Sequence, residues 1–223
     1  MPHAAAITTA SDRHLLDRYD SPRWMTDTLL HALKIRFPEG TVFLECCVGG
    51  GSIADVLKAS GYKVITTDID PACNPHYVLD MTQEASWVIL PPFDYVVSNL
   101  PFNVADSILR LAIPRSKGVM VLLRKTWDEA VEGRFDLLEQ YPWSHKISMP
   151  RFKFRRKKDA AGERTGGWQT DSTPIDWFMW MPQETSLPAF SIYSAQKISR
   201  FSRFTQNPDQ EAEVVDSPVL SNW

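Results

Sequence analysis

The sequence is poor in the residues that would place it in several large classes of protein. It has only three cysteines in 223 residues, Cys46, Cys47 and Cys73, and two of them are adjacent. That excludes a disulfide framework, and the spacing is not that of a zinc site. The histidines, His3, His14, His31, His76 and His145, are scattered without metal-ligand spacing. No apolar run approaches the roughly 20 residues of a membrane span, and the first residues lack an apolar signal region. A cytoplasmic protein with no membrane partner is the expectation. Neither sign of charge dominates, since the formal net charge is −3. There is no internal repeat, and oligomeric state leaves no signature.

What is present is an ordinary globular composition, 43% hydrophobic and 23% charged, in a chain long enough to bury a full core. Charge is uneven along it. Arg151, Lys153, Arg155, Arg156, Lys157 and Lys158 fall within eight residues, interleaved with Phe152 and Phe154, whereas the end of the chain after Asn207 is acidic.

Periodicity predicts regular alternation. Ser21 and Pro22 read as the cap and first position of a helix whose apolar face is Trp24, Met25, Leu29, Leu33 and 35–37, ended by Pro38-Glu39-Gly40. Val42-Phe43-Leu44 reads as a buried strand, 52–60 as a helix closed by Gly61, and 63–67 as a second strand. A short strand over 77–79 and a brief helix over 82–88 follow. Then come a strand over 93–98, a helix over 104–113 and a strand over 118–123. A helix over 127–140 and strands near 145–149 and 175–181 complete the pattern. Strands alternating with helices predict an α/β fold, with a mostly parallel sheet and helices on both faces. Residues 1–18 read as a flexible segment, 19–181 as the folded domain and 182–223 as a partly disordered tail. Within the domain, 150–173 is a basic insertion.

Two stretches carry chemistry. Glu45-Cys46-Cys47-Val48-Gly49-Gly50-Gly51 closes the first strand, where glycines let the backbone turn sharply beside a ligand. Asp68 ends the second strand and could accept both hydroxyls of a ribose, and Asp80 ends the third, within reach of an adenine edge. Gly49-x-Gly51-x-x-Ala54 also fits a dinucleotide fingerprint. However, a carboxylate at Glu45 would repel a pyrophosphate and suits an ammonium group. The second stretch, Asn99-Leu100-Pro101-Phe102, ends a buried strand in one amide, one backbone carbonyl and one flat ring. Such a set suits a planar amine, such as the exocyclic nitrogen of a base.

With these residues the chain resembles class I S-adenosylmethionine-dependent methyltransferases, in particular the amino-methyltransferases of nucleic acids. Glu45, Gly49 and Gly51 match the cofactor loop Asp/Glu-x-x-x-Gly-x-Gly. Asn99 to Phe102 matches the catalytic Asp/Asn/Ser-Pro-Pro-Tyr/Phe motif, and Tyr19-Asp20-Ser21-Pro22 is similar to the Tyr-x-Thr-Pro segment over the methionine part of the cofactor. The resemblance implies a Rossmann-like fold with a mostly parallel seven-stranded sheet. It also implies S-adenosylmethionine as cofactor, held by Tyr19, Ser21, Glu45, Gly49, Gly51, Asp68, Ile69, Asp80 and Asn99. Asn99, Leu100, Pro101 and Phe102 would be catalytic.

The motif order is that of the gamma group of DNA adenine methyltransferases, and small phage-borne members are similar near 121–125 and 177–180. The implied reaction is therefore methylation of adenine N6 in DNA. Leu100 in place of the first proline also occurs in ribosomal RNA adenine dimethyltransferases, which keeps an RNA partner open. Phe102 retains stacking without the tyrosine hydroxyl. A protein glutamine amide presents the same planar amine, and a non-catalytic binding module is a further alternative. No Pro-Cys dipeptide of the cytosine-C5 kind is present. The basic insertion is the expected nucleic-acid contact and target-recognition loop, short enough to imply low sequence specificity.

Overall fold

The computed structural model describes residues 21–33, 37–129, 133–150, 153–154, 169–170, 174–182, 189–193 and 195–198. Tyr19, Arg151, Arg155, Arg156, Lys157 and Lys158 lie outside the described residues, as do 1–18 and most of the tail.

Helix α1 (Arg23–Leu33) leads into β1 (Val42–Glu45), α2 (Ser52–Ala59), β2 (Lys63–Asp68), β3 (Tyr77–Val78) and α3 (Glu84–Val88). Next are β4 (Tyr95–Asn99), α4 (Ala105–Ala112), β5 (Gly118–Arg124), α5 (Phe135–Gln140) and β6 (His145–Ser148). The basic insertion contributes β7 (Lys153–Phe154) and β8 (Gln169–Thr170), an antiparallel pair, before β9 (Ile175–Trp180), β10 (Phe190–Ile192) and α6 (Ala195–Ile198).

The main sheet runs β10-β6-β9-β5-β4-β1-β2-β3. Only β9 is antiparallel to its neighbours, β5 and β6. This is the mostly parallel, Rossmann-like sheet that the sequence predicts, with eight strands instead of seven. The eighth comes from the stretch expected to be a tail: Phe190–Ile192 pairs in parallel with Lys146–Ser148. Short, half-exposed edge strands carry a weak apolar signal, which is why this one escapes periodicity.

Apolar residues are buried on both faces of the sheet, as parallel strands require. Along β5 successive residues alternate between two cores: Met120 and Leu122 pack with α1 and α2, whereas Val119, Val121 and Leu123 pack with α4. In β9, Trp177 and Met179 join the first core and Phe178 and Trp180 the second. The Trp177 indole donates to the Met25 carbonyl at 3.0 Å, tying α1 to the sheet.

Two local expectations change. The helix over 127–140 begins only at Phe135, after Gly133 with φ +91°. Trp127 instead sits in a turn, donating its backbone N–H to the Arg124 carbonyl and its indole N–H to Asp106. The indole bond, made across to α4, holds Trp127 in that turn against its helix propensity. Ser21 is also no cap, because its hydroxyl is buried without a partner among the described residues and the helix starts at Arg23.

β1 has β2 on one side and β4 on the other, so the chain order reverses between β1 and β4. Ligands of open α/β sheets bind outside the carboxyl ends of strands at such a point. Glu45 and Asn99 end those two strands.

Candidate active site

The turn after β1 is built by its bonds to β2. Val48 N–H donates to the Thr67 carbonyl (3.0 Å), and the Thr67 hydroxyl donates to the Cys46 carbonyl (3.1 Å). Gly51 N–H closes the turn on Val48 O at 2.8 Å. Gly49 and Gly51 have φ of +50° and +79°, in the left-handed region that strains a residue with a Cβ. A Cβ on Gly51 would meet nothing within 4 Å, so that glycine is required by backbone conformation and not by crowding.

Asp68 is held at the end of β2 by two backbone donors: Gly49 N–H to Oδ2 and Asp70 N–H to Oδ1, each 2.9 Å. One bond per oxygen leaves a lone pair on each for a pair of hydroxyls. Asp80 accepts from both the Thr82 hydroxyl (2.7 Å) and the Thr82 N–H (2.9 Å), and these bonds hold its carboxyl below the usual carboxylate range.

Glu45 is 1% exposed. Its Oε2 accepts the Ala54 N–H at 2.8 Å, in the first turn of α2, so the carboxylate anchors the helix as well as facing the pocket. Burial nevertheless pushes its carboxyl well above the usual range, against the smaller lowering from that hydrogen bond. A buried acid in this state gains from a cation placed against it. Cys47 is pushed up by its bond to Cys46 and by burial, so it carries a thiol and not a nucleophilic thiolate.

These groups line one pocket of about 290 Å³. Of the residues predicted from sequence, Ser21, Glu45, Gly49, Asp68, Ile69, Asp80, Asn99, Leu100, Pro101 and Phe102 all border it. Gly51 does not; its N–H closes the turn on Val48. The Ser21 hydroxyl, without a partner among the described residues, belongs to a residue lining the same pocket. Sequence reasoning missed Thr82, Met81 and Asn103, which also line it. The Asp80-x-Thr82 spacing, suited to an Asx turn, was the available signal for the first of these.

On the other side of the pocket, Asn99 pairs in register with Leu122 of β5. Leu100 is buried at 2% exposure, and the Val104 N–H donates to the Pro101 carbonyl at 3.1 Å, closing the turn into α4. The Arg124 guanidinium lies over the Phe102 ring, 4.7 Å from its centroid. Ser21, Glu45, Asp68, Asp80 and Asn99 to Phe102 border one cavity, a set suited to an elongated ligand with an amino-acid end, a ribose and a base.

No protein-family model and no curated protein matches this sequence. Solved structures do. A dimethyladenosine transferase from Plasmodium falciparum is similar at 17% identity over 76% of this chain, with a TM-score of 0.48, and this chain spans 64% of its length. A precorrin-6y C5,15-methyltransferase from Geobacter metallireducens is similar at 10% identity (TM-score 0.47, 70% of this chain and 86% of that one). The type IIG restriction endonuclease BpuSI is similar at 10% identity (TM-score 0.49, 75% of this chain and 26% of that one). At such identities and TM-scores none of them says what this chain acts on.

Proposed function

We propose that this protein transfers a methyl group from S-adenosylmethionine to the exocyclic N6 amine of adenine in DNA. The carrying observation is the single pocket bordered by Glu45, the glycine turn and Asp68 on one side and by Asn99 to Phe102 on the other. When bound, S-adenosylmethionine supplies a methyl group already activated on a sulfonium sulfur. Glu45 would meet its α-ammonium group, with the Ser21 hydroxyl also at the amino-acid end. Asp68 accepts the ribose hydroxyls, and Asp80 with Ile69 borders the adenine.

An exocyclic amine is a weak nucleophile because its lone pair is delocalised into the ring. The Asn99 side-chain oxygen and the Leu100 carbonyl accept its two N–H bonds, turning the lone pair out of the ring plane and towards the methyl. The sulfonium would release the methyl group with its bonding pair left on sulfur, and the amine nitrogen would take the methyl in place of one proton, which passes to water. Preorganised acceptors in a dry site favour the charge that develops on nitrogen, and positioning supplies the rest of the rate. Phe102 stacks on the base, which is worth about 1–3 kcal/mol. A base inside a duplex cannot reach this pocket, so it is flipped out or presented in a single strand. Arg151, Lys153, Arg155, Arg156, Lys157 and Lys158 contact phosphates and impose little sequence preference.

One specific residue favours a second reading, adenine in RNA, because Leu100 stands where DNA enzymes of this resemblance carry proline. Incubation with labelled S-adenosylmethionine and DNA, RNA or protein, followed by nucleoside analysis, separates them. N6-methyladenine in DNA is the expected product. Label confined to RNA selects the second reading, and label in protein, or none, rejects both.

A further inference from the structure

We propose that Arg124 is a phosphate-binding residue of this site, gripping the phosphodiester beside the target adenine; the inference rests on the nucleic-acid reading above. Arg124 is the last residue of β5 and is exposed, unlike the six residues before it, which are buried. Its guanidinium stacks on Phe102 of the Asn-Leu-Pro-Phe motif. Phe102 lines the pocket and Arg124 does not, which puts the guanidinium at the rim, beside the ring.

Its neighbours show why this cation is different. Lys125 is engaged by Ser148 at 2.6 Å and by Asp176 at 3.9 Å, and Lys146 by both oxygens of Asp128 at 3.0 Å. Arg134 is engaged by Asp106. Among the described residues, no carboxylate lies within ion-pair distance of Arg124. A charge held by an aromatic ring, at a pocket mouth and without an acid, is already oriented for an incoming anion.

The register places it further. Arg124 lies opposite Ile175, where the chain returns from the basic insertion into β9, and Lys125 N–H donates to the Pro174 carbonyl at 2.8 Å. Arg124, the Asn99 motif and the return of the chain at Pro174 therefore lie at the same end of the sheet, the carboxyl end of β4 and β5. A nucleotide whose base enters the pocket leaves its sugar and phosphates at that rim. Guanidinium and phosphate match in a bidentate fork, which a lysine cannot form.

The test uses the full chain, with short single-stranded DNA and RNA oligonucleotides containing one adenine. For the nucleic acid that is methylated, Arg124→Met should raise KM by about tenfold and lower the slope of log affinity against log salt by about 0.7, the single-strand value for one lost phosphate contact. Arg124→Lys should retain the slope and recover only part of KM. A methylphosphonate next to the adenine should reproduce the Arg124→Met effect in the wild type and add nothing to it in the variant. Cofactor affinity measured by calorimetry should be unchanged. Wild-type KM and salt slope in Arg124→Met overturn the inference, as does a methylphosphonate effect that adds fully to the substitution. If Arg124→Met does not bind cofactor, the wild-type methylphosphonate and Arg124→Lys arms decide. If the wild type methylates neither oligonucleotide, the nucleic-acid reading itself falls.

Discussion

Asn99 and Glu45 occupy equivalent places, each the last residue of a parallel strand beside the point where chain order reverses, yet their chemistry separates on substitution. Under the proposed function, Asn99→Ala would remove an acceptor for the amine and leave the donor molecule's main partners in place. Methyl transfer should fall by about 100-fold or more, the usual scale for losing a preorganised group that stabilises developing charge. S-adenosylmethionine binding measured by calorimetry should stay within a few-fold. Retained turnover would remove Asn99 from the catalytic role.

Glu45 makes a prediction about pH. Its carboxyl is raised by burial above the ordinary value of 4.5, so the ligand-free fold holds that proton more tightly than the unfolded chain does. The contribution to stability is therefore complete below 4.5 and is lost as pH rises through the folded value. Glu45→Gln keeps an acceptor for the Ala54 N–H and removes the titration. Thermal melts of the ligand-free variant should lose part of the wild-type decline above 4.5. Affinity for the cationic cofactor should fall by about 10–100-fold, the value of a hydrogen bond to a charged group. Superimposable stability profiles for the two proteins would show that Glu45 does not titrate in this way.

At the scale of elements, the glycine turn joins backbone geometry to function. Gly51 sits at φ +79° with open space around its missing side chain. Gly51→Ala should thus cost about 1–2 kcal/mol from left-handed strain alone. Denaturant titration should show the loss, and cofactor binding should weaken in parallel because Gly51 N–H closes the turn that presents Gly49 to Asp68. An unchanged midpoint would mean that the turn relaxes at no cost. The Asx turn at Asp80 works similarly, since Thr82 fixes the carboxylate by two bonds before any ligand arrives.

At the scale of the whole molecule, net charge is a poor guide to partners. The formal charge is −3, yet six cations cluster within eight residues of the insertion whose root lies between β6 and β9. Replacing Arg151, Lys153, Arg155, Arg156, Lys157 and Lys158 by glutamine should lower the salt slope of nucleic-acid binding by up to about 4–5 units. Thermal stability and cofactor affinity should hardly change. A slope that survives the replacement would return these residues to a merely solvating role. Among the described residues, no helix is long and apolar enough to cross a membrane.

Much of this was legible along the chain because the signals are local. Strands such as Val42–Glu45 and Gly118–Arg124 are buried on both faces and read as continuous apolar runs. Turns announce themselves through glycine, and strand-terminal acids through position. What escaped was written in contacts between distant residues. The strand Phe190–Ile192 exists because β6 offers it an edge, and Trp127 leaves its expected helix with its indole N–H bound to Asp106, 21 residues earlier. Ser21 resembled a cap until folding left its hydroxyl buried at the pocket without a partner among the described residues. Residue types and spacing were enough to propose the chemistry, since a carboxylate, a glycine turn and an amide beside a ring have few joint uses. That these meet in one cavity, with Arg124 laid on Phe102 at its rim, follows from strand order, which joins residues tens of positions apart and leaves no trace in any short window.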